Sequence, residues 1–353
     1  MTNKARIDYL HRFRQLNDKD LTILIDTFSK EDLMYAKSIA MAIKESYYGR
    51  DIYIRGLIEL TNYCQCNCLY CGIRSGNTKA ERYRIMPDEV FKCCEKGYEL
   101  GFRTFVIQGG EDPWYTDDKL VPMIQKIRNN YPDCAITLSL GERSRTSYEK
   151  LYDAGANRYL LRHETGDASH YRKLHSPGQE LADRLTHLKI LKSIGYQIGT
   201  GFMVGSPGQT PESLVKDLSI LKELNPEMVG IGPFVPHHES VFKACPPGRV
   251  DLTQFMLALI RIMLPSALIP ATTSLGTVDV KGREKGVLSG ANVIMPNLSP
   301  MNVRNKYLLY DNKAYTGSEA AESLENLRKD MELIGHQVVV HRGDFIAIRE
   351  GSI

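Results

Sequence analysis

The residues best suited to chemistry in this sequence are cysteines that lie close together. Cys64, Cys68 and Cys71 are separated by three and then two residues. Three thiolates on one short loop can bind three irons of a cubane cluster and leave the fourth iron without a protein ligand. An open iron can bind a small molecule, whereas a cluster with four cysteine ligands mainly carries electrons. We therefore interpret Cys64, Cys68 and Cys71 as the ligands of a 4Fe-4S cluster with one open position.

A zinc site is the alternative interpretation of the same loop, because Cys66 brings the number of thiols to four. Zinc accepts four thiolates, but its usual sites combine two Cys-x-x-Cys pairs that lie far apart in the chain. Here all four cysteines fall within eight residues, which favours the iron–sulfur interpretation. Cys66 is a bystander, an alternative ligand or a reactive thiol.

The composition excludes some classes of function. The 353 residues include 45 basic and 42 acidic residues without runs of like charge, so nucleic acid is not an expected partner. The N-terminal residues lack the apolar stretch of a secretory signal, and no apolar run reaches the roughly 20 residues of a membrane span. We expect a cytoplasmic protein without membrane contact, in which the eight cysteines are thiols or metal ligands.

The elements that must position the cysteines are short apolar segments that alternate with amphipathic helices. Eight strands are predicted, over residues 52–60, 104–107, 135–138, 159–161, 198–204, 228–231, 268–271 and 292–295. Eight alternations of this kind favour a parallel (β/α)8 TIM-type barrel over an open sheet. We predict a helical extension over residues 1–50, the barrel over 51–300 and a C-terminal extension over 301–353 packed on the barrel. The extension should contain a helix over 318–334, with Ser318 as its N-cap, and a strand over 337–340.

Polar residues follow the second strand, and the active residues of such barrels lie on the loops after the strands. These residues are Gln108, Gly109, Gly110 and Glu111. A glycine pair allows the backbone to approach a ligand closely, although on its own it is a weak signal.

The fourth strand carries charges that a barrel interior does not normally tolerate. Alternation places Arg158, Arg162 and Glu164 on one face of the strand. An isolated buried charge is very costly, so these groups must be paired or bound to a ligand. An internal salt bridge and a ligand site are both compatible with this pattern.

The cluster loop resembles that of the radical S-adenosylmethionine superfamily. It matches the Cys-x-x-x-Cys-x-aromatic-Cys motif at every position, with Tyr70 as the aromatic residue. The resemblance implies that the open iron chelates the amino and carboxylate groups of S-adenosylmethionine, and that an electron from the cluster cleaves the sulfonium to a 5′-deoxyadenosyl radical. The cofactor-binding residues that it implies are Tyr70, Gln108, Gly109, Gly110, Glu111, Glu164, Arg184 and Met203.

Beyond this loop, the chain resembles the HydE-type maturases of FeFe hydrogenase, a subgroup close to biotin synthase and methylornithine synthase. The resemblance lies at nearly every strand end, in residues 108–112, 162–165, 229–237, 269–273 and 290–297. It implies an internal cavity for small anionic or sulfur-bearing ligands, with Tyr310 as a catalytic residue. The substrate-binding residues that it implies are Arg158, Arg162, Thr272, Thr273, Met295 and Tyr307.

The implied role is a step in the assembly of the hydrogenase active-site cluster, the H-cluster, on a sulfur-bearing small-molecule or iron-complex substrate. Other hydrogenase maturases and an electron donor are the implied partners. We expect only one 4Fe-4S cluster, because no cysteine follows Cys245.

Two other functions compete with this interpretation. A carbon-skeleton mutase of the methylornithine synthase kind would be favoured by acidic side chains that face the lower cavity. A non-catalytic iron–sulfur or zinc protein would need no cofactor pocket.

The motif His237-His238-Glu239 looks suited to a metal. Adjacent histidines after Pro236 are, however, expected to be exposed to solvent.

Overall fold

The computed structural model describes residues 1–314 and 320–346. Its helices are α1 Asn3–Phe13, α2 Asp18–Thr27, α3 Lys30–Tyr48, α4 Pro87–Glu99, α5 Asp117–Asn130, α6 Arg145–Asp153, α7 Ala168–Leu174, α8 Leu181–Ile194, α9 Pro211–Leu224, α10 Val250–Met263, α11 Thr273–Val278, α12 Gly282–Val287, α13 Met301–Arg304 and α14 Ala320–Leu333. Its strands are β1 Asp51–Ile54, β2 Gly56–Thr61, β3 Thr104–Gly109, β4 Ala135–Ser139, β5 Arg158–Leu160, β6 Gln197–Thr200, β7 Met203–Val204, β8 Met228–Val229, β9 Gly232–Pro233, β10 Val293–Ile294 and β11 Gln337–Val339. None of the described helices is long and apolar enough to cross a membrane.

The strands form a closed parallel ring. Six of them pair in the order β2-β3-β4-β5-β6-β8. Single bridges from Met228 to Leu268 and from Pro270 to Val293 continue the ring. Strand β10 then pairs with β1, with Val293 opposite Tyr53, and the ring closes. The predicted (β/α)8 barrel is therefore confirmed.

Several predicted strands are interrupted. The first divides at Arg55, because β1 pairs with β10 and β11 whereas β2 pairs with β3. The fifth divides at Gly201, where a Cβ atom would lie 1.9 Å from the carbonyl oxygen of Gly230. Gly230 marks the matching break in the sixth strand, and the second pieces, β7 and β9, pair with each other. The predicted strand over 268–271 forms only single bridges.

The C-terminal segment closes the lower end of the barrel. Strand β11 pairs in parallel with β1. Beyond it, the carbonyl oxygen of Arg342 accepts a hydrogen bond of 2.8 Å from Thr104 on β3, and Asp344 pairs with Arg158 on β5 at 2.6 Å. The floor of the barrel is thus built from residues at the far end of the chain.

The N-terminal helices pack on the outside of the barrel through α3. This helix begins with a capping box between Ser29 and Asp32. It lies against α10, and Phe28 stacks on Phe255 with 4.3 Å between the ring centroids. Helix α10 is buried along nearly its whole length, because it lies between α3 and the barrel.

The helix predicted over 318–334 corresponds to α14, Ala320–Leu333. Ser318, its predicted N-cap, lies outside the described residues. The division into a helical extension, a barrel and a C-terminal extension stays a prediction.

Candidate active site

The cluster loop, residues 62–77, follows β2 and has no regular secondary structure. Its shape is held by one guanidinium. Arg82 donates to the carbonyl oxygens of Ile73, Arg74 and Asn77 at 2.7, 2.8 and 2.9 Å, and also to that of Asn62. Four charge-assisted hydrogen bonds fix the loop without a helix or a strand. Nothing in the sequence distinguishes Arg82 from a surface arginine.

The thiols of the loop differ in their readiness to ionise. A hydrogen bond from Cys66 lowers the pKa of Cys64 to about 7. Burial raises the pKa of Cys68 to about 12, and it raises the pKa of Cys71 as well. All eight cysteines of the chain are free of disulfides. Cys68 and Cys71 therefore need a bound metal to become thiolates at neutral pH.

The glycines at the end of β3 lie against the cluster loop. Gly109 is the last residue of the strand. A Cβ atom on Gly110 would lie 2.2 Å from the carbonyl oxygen of Tyr63 and 2.7 Å from Cβ of Cys64. The carbonyl oxygen of Glu111 accepts a hydrogen bond of 2.9 Å from the loop backbone. Only glycine allows this approach, so the β3 segment and the cluster loop form one unit.

Charged groups converge beside the thiols. Nε of Arg184 lies 2.7 Å from Glu142, its Nη2 lies 4.0 Å from Glu111, and its Nη1 donates to the carbonyl oxygen of Arg162. Nη2 of Arg162 lies 3.1 Å from Oε2 of Glu164. Among the described residues, Nε of Arg184, Nη2 of Arg162 and Oε2 of Glu164 have no hydrogen-bond partner of good geometry. Donors and an acceptor are therefore left for a polar ligand.

A buried pair behind Glu164 fixes this arrangement. Nε2 of His163 lies 3.0 Å from Oδ1 of Asp217, which also accepts a hydrogen bond of 2.5 Å from the backbone of Gly166. Nδ1 of His163 lies 2.9 Å from the hydroxyl of Thr200. Burial lowers the pKa of His163 and raises the pKa of Asp217, so burial disfavours the charged form of each group. His163 lies in segment 162–165, which carries part of the family resemblance, but Asp217 belongs to no motif, so the pair could not be predicted from the sequence.

A cavity of about 190 Å³ opens between the cluster loop and the charges. Predicted site residues that line it are Tyr70, Cys71, Arg162, Glu164, Met203 and Tyr310. Half-buried thiols on one side suit an iron–sulfur cluster. Charged groups on the other side, whose ion pairs with one another lack good hydrogen-bond geometry, suit the ammonium and carboxylate of an amino-acid moiety. The residues present therefore fit both a 4Fe-4S cluster and S-adenosylmethionine.

Four other predicted residues lie beside or below this cavity. The hydroxyl of Tyr307 accepts a hydrogen bond of 3.2 Å from Gln108. The hydroxyl of Thr272 lies 3.1 Å from that of Ser274, which lines the cavity. Thr273 begins α11. Met295 packs on the apolar cluster of the lower barrel.

Arg158 requires a correction. Its guanidinium lies at the barrel floor, where it bonds to Gln197 at 2.9 Å, to the carbonyl oxygen of Gly343 at 3.3 Å and to Asp344 at 2.6 Å. The predicted substrate-binding role does not fit this position, because protein groups already occupy the guanidinium. Alternation along the strand predicts which face a side chain occupies, but not how deep it lies.

Arg55 lies in the same lower region, although its sequence context gave no reason to single it out. It is fully buried, and among the described residues its Nε and Nη2 have no hydrogen-bond partner. Together with Arg158 it lines the lower barrel interior. This part of the interior thus contains two guanidinium groups, one of them paired with Asp344, and the carboxylate of Glu227.

A buried acid–base pair crosses the barrel next to Tyr307. Glu59 on β2 pairs with Lys313, and the ammonium of Lys313 also donates to the carbonyl oxygen of Tyr307 at 3.0 Å. Glu59 further accepts a hydrogen bond of 2.8 Å from Asn297. The sequence did contain a signal for Glu59, a single acidic residue in the apolar segment Gly56–Thr61.

The histidine motif is arranged differently from the expectation. His237 is buried, whereas His238 is exposed and pairs with Asp311 at 2.6 Å. Glu239 pairs with Lys79 instead. The backbone N–H of Glu239 donates to Nδ1 of His237, so the proton of that ring lies on Nε2, the atom a metal would need. This tautomer opposes a metal site.

Comparison with known proteins defines the class of this barrel. The family model of the Radical SAM superfamily matches residues 58–221. The structure of methylornithine synthase PylB aligns with a TM-score of 0.78 and 23% identity, over 96% of this chain and 97% of that one. The structure of HydG, a maturase of FeFe hydrogenase, aligns with a TM-score of 0.79 and 22% identity, over 95% and 76%. At these identities the two structures support the fold, and the family model defines the class as radical S-adenosylmethionine enzymes.

Sequence relatives define the family within that class. The FeFe hydrogenase maturase subunit HydE of Thermotoga maritima is 44% identical over 299 residues, which are 85% of each chain. The 3-methylornithine synthase of Methanosarcina acetivorans is 29% identical over 282 residues, which are 79% of each chain. The chain therefore belongs to the HydE family, and it uses a 4Fe-4S cluster and S-adenosylmethionine.

Proposed function

We propose that this protein carries out the HydE step in maturation of the FeFe hydrogenase H-cluster, using S-adenosylmethionine to act on a sulfur-bearing substrate. The observation that carries the proposal is the three-cysteine loop beside a cavity lined by Arg162, Glu164 and Tyr310, in a chain 44% identical to a hydrogenase maturase.

Cys64, Cys68 and Cys71 would hold the cluster. When bound, the cluster supplies the electron that cleaves S-adenosylmethionine to methionine and the 5′-deoxyadenosyl radical. Glu164 and Arg184 would orient the amino-acid end of the cofactor, since each keeps a buried polar atom without a partner of good geometry among the described residues. Gly110 lets the backbone approach the cluster loop, and the buried pair behind Glu164 would hold its carboxylate in place.

The substrate would occupy the part of the same cavity that lies next to Arg162 and Tyr310. Arg162 and Tyr310 line the cavity, and Arg55 adds a buried positive charge beneath it. A guanidinium and a phenol donate hydrogen bonds, so an anionic or sulfur-bearing substrate is favoured over a cationic one. Burial raises the pKa of Tyr310, which keeps its phenol protonated.

The competing mutase function needs acidic groups that can bind an amino-acid ammonium. Two acidic side chains of the barrel interior already have protein partners. Glu59 is neutralised by Lys313, and Glu227 in the lower barrel accepts a hydrogen bond of 2.7 Å from the backbone of Ile198. These contacts favour the maturase over the mutase.

The proposed partners are other hydrogenase maturases and a one-electron donor, and the proposed location is the cytoplasm, where thiols stay reduced. The eight free cysteines agree with such a compartment.

The test is anaerobic activation of unmatured FeFe hydrogenase by a set of maturases that lacks only HydE. Adding the reconstituted protein should restore hydrogen evolution, and the Cys68→Ala variant should not. A reconstituted protein that cleaves S-adenosylmethionine but activates no hydrogenase would contradict the maturase assignment and favour a different substrate.

A further inference from the structure

A short segment of the C-terminal extension crosses the top of the barrel. We call residues 305–314 the strap. The backbone N–H of Gly72, next to the last cluster cysteine, donates to the carbonyl oxygen of Leu309 at 2.9 Å. The strap also receives a hydrogen bond of 2.7 Å from Asn62 at the carbonyl oxygen of Lys306. Its far end is held by a hydrogen bond of 3.0 Å from Ala314 to Thr277. It therefore touches both the cluster loop and α11.

The strap carries two side chains of the proposed substrate site. Tyr310 lines the cavity. Tyr307 is buried and bonds to Gln108, which lies one residue before the glycine pair. A four-residue α13 precedes the strap. No long element of its own holds it, so its position depends on its backbone hydrogen bonds and side-chain contacts with the rest of the protein.

Lys313 makes the deepest of these contacts. Its side chain is 7% exposed and that of Glu59 is 1% exposed, so their ion pair is almost entirely removed from water. The ammonium also lies 4.9 Å from the centre of the Tyr307 ring and donates to its carbonyl oxygen. Asn297 holds the second oxygen of Glu59. Both charges are thus fixed by further hydrogen bonds, which is the geometry in which a buried pair selects one conformation.

We propose that the Glu59–Lys313 pair is a positioning device that holds the strap on the barrel and thereby places Tyr307 and Tyr310 at the substrate cavity. Neither residue lines the cavity. The activity measurement that tests this inference rests on the proposed function, whereas the hydrogen-exchange measurement does not.

The test compares the reconstituted wild-type protein with Lys313→Met and with the double variant Glu59→Gln, Lys313→Met. The double variant removes both charges and leaves no uncompensated buried carboxylate, so it should fold even where the single variant is unstable. Lys306→Met is the matched control, because Lys306 lies in the same strap but pairs with the exposed Glu81.

The first measurement is hydrogen exchange of the strap amides. We expect exchange about ten-fold faster in both Lys313 variants, with unchanged exchange in the barrel strands and in Lys306→Met. The second measurement is the ratio of activated hydrogenase to 5′-deoxyadenosine formed. This ratio should fall about ten-fold in the Lys313 variants, because radicals form but the substrate is misplaced, whereas a general loss of folding lowers both quantities together.

A double variant with wild-type exchange in the strap and a wild-type ratio would overturn the inference. A wild-type protein that activates no hydrogenase would contradict the proposed function. The hydrogen-exchange measurement alone would then test whether the Glu59–Lys313 pair holds the strap.

Discussion

The carboxylate of Glu164 lies 3.1 Å from the guanidinium of Arg162, although only one residue separates them in the chain. The backbone of Glu164 adopts the left-handed conformation, with φ of 64°. Such a conformation is uncommon for residues other than glycine. Its hydrogen bonds to Gly201 and Met203, at 3.0 and 3.1 Å, and the His163–Asp217 pair hold it there.

Replacing Glu164 by glutamine should weaken binding of S-adenosylmethionine about ten- to hundred-fold, because hydrogen bonds to charged groups contribute about 1.5–3 kcal/mol. Calorimetric titration of the cluster-loaded protein measures the dissociation constant. Glu149→Gln, which alters an exposed helical pair with Arg145, is the control. Equal affinity in Glu164→Gln and wild type would remove Glu164 from the cofactor site.

Replacing Gly110 by alanine should impair loading of the cluster and lower the free energy of unfolding by about 1–3 kcal/mol, as overpacking does. The new Cβ would lie 2.2 Å from a backbone oxygen of the cluster loop, which cannot rotate away. Gly230→Ala is the matched control, since the nearest atom to its Cβ is 3.8 Å away. Iron content after reconstitution and urea unfolding compare the two, and a full iron load in Gly110→Ala would refute the close approach.

Replacing Arg82 by methionine should destabilise the protein by about 2–4 kcal/mol, because several carbonyl oxygens lose a charged donor at once. Arg172→Met should cost less than about 1 kcal/mol, since its pair with Glu180 is exposed. Urea unfolding of the cluster-free proteins measures both, so that cluster stability does not enter. Similar losses in the two variants would show that Arg82 does not organise the loop.

His175 should make stability depend on pH. Burial lowers its pKa from 6.5 to about 4, so between these values the unfolded chain binds a proton that the folded chain does not. Stability from this group is complete above pH 6.5 and is lost as the pH falls toward 4. Between pH 7.5 and pH 5 the loss is about 2 kcal/mol. Urea unfolding at both pH values measures the free energy of unfolding, and its decrease between them should be smaller by that amount in His175→Gln than in the wild type. An equal decrease in the two proteins would show that His175 is not its source.

The sequence was sufficient for the barrel and the cluster loop, because both depend on local patterns. Eight alternations of strand and helix predict the ring, and cysteine spacing predicts the ligands. The position of Arg158 could not be predicted from local patterns. Arg158 lies four positions before Arg162, about 13 Å along an extended chain, which is enough to move its side chain from the cavity to the floor.

The contacts that complete the site come from distant parts of the chain. Asp344 lies 186 residues after Arg158, and Lys313 lies 254 residues after Glu59. Charge patterns along one segment cannot identify such partners. The C-terminal extension therefore contributes to both ends of the barrel in ways that only the folded structure reveals.

The central claim is that Cys64, Cys68 and Cys71 hold a cluster that cleaves S-adenosylmethionine reductively. The most direct test is an anaerobic assay of the reconstituted, dithionite-reduced protein with S-adenosylmethionine, in which mass spectrometry follows 5′-deoxyadenosine and methionine. We predict both products from the wild type and neither from Cys68→Ala. A fully loaded cluster that yields no 5′-deoxyadenosine would contradict the claim.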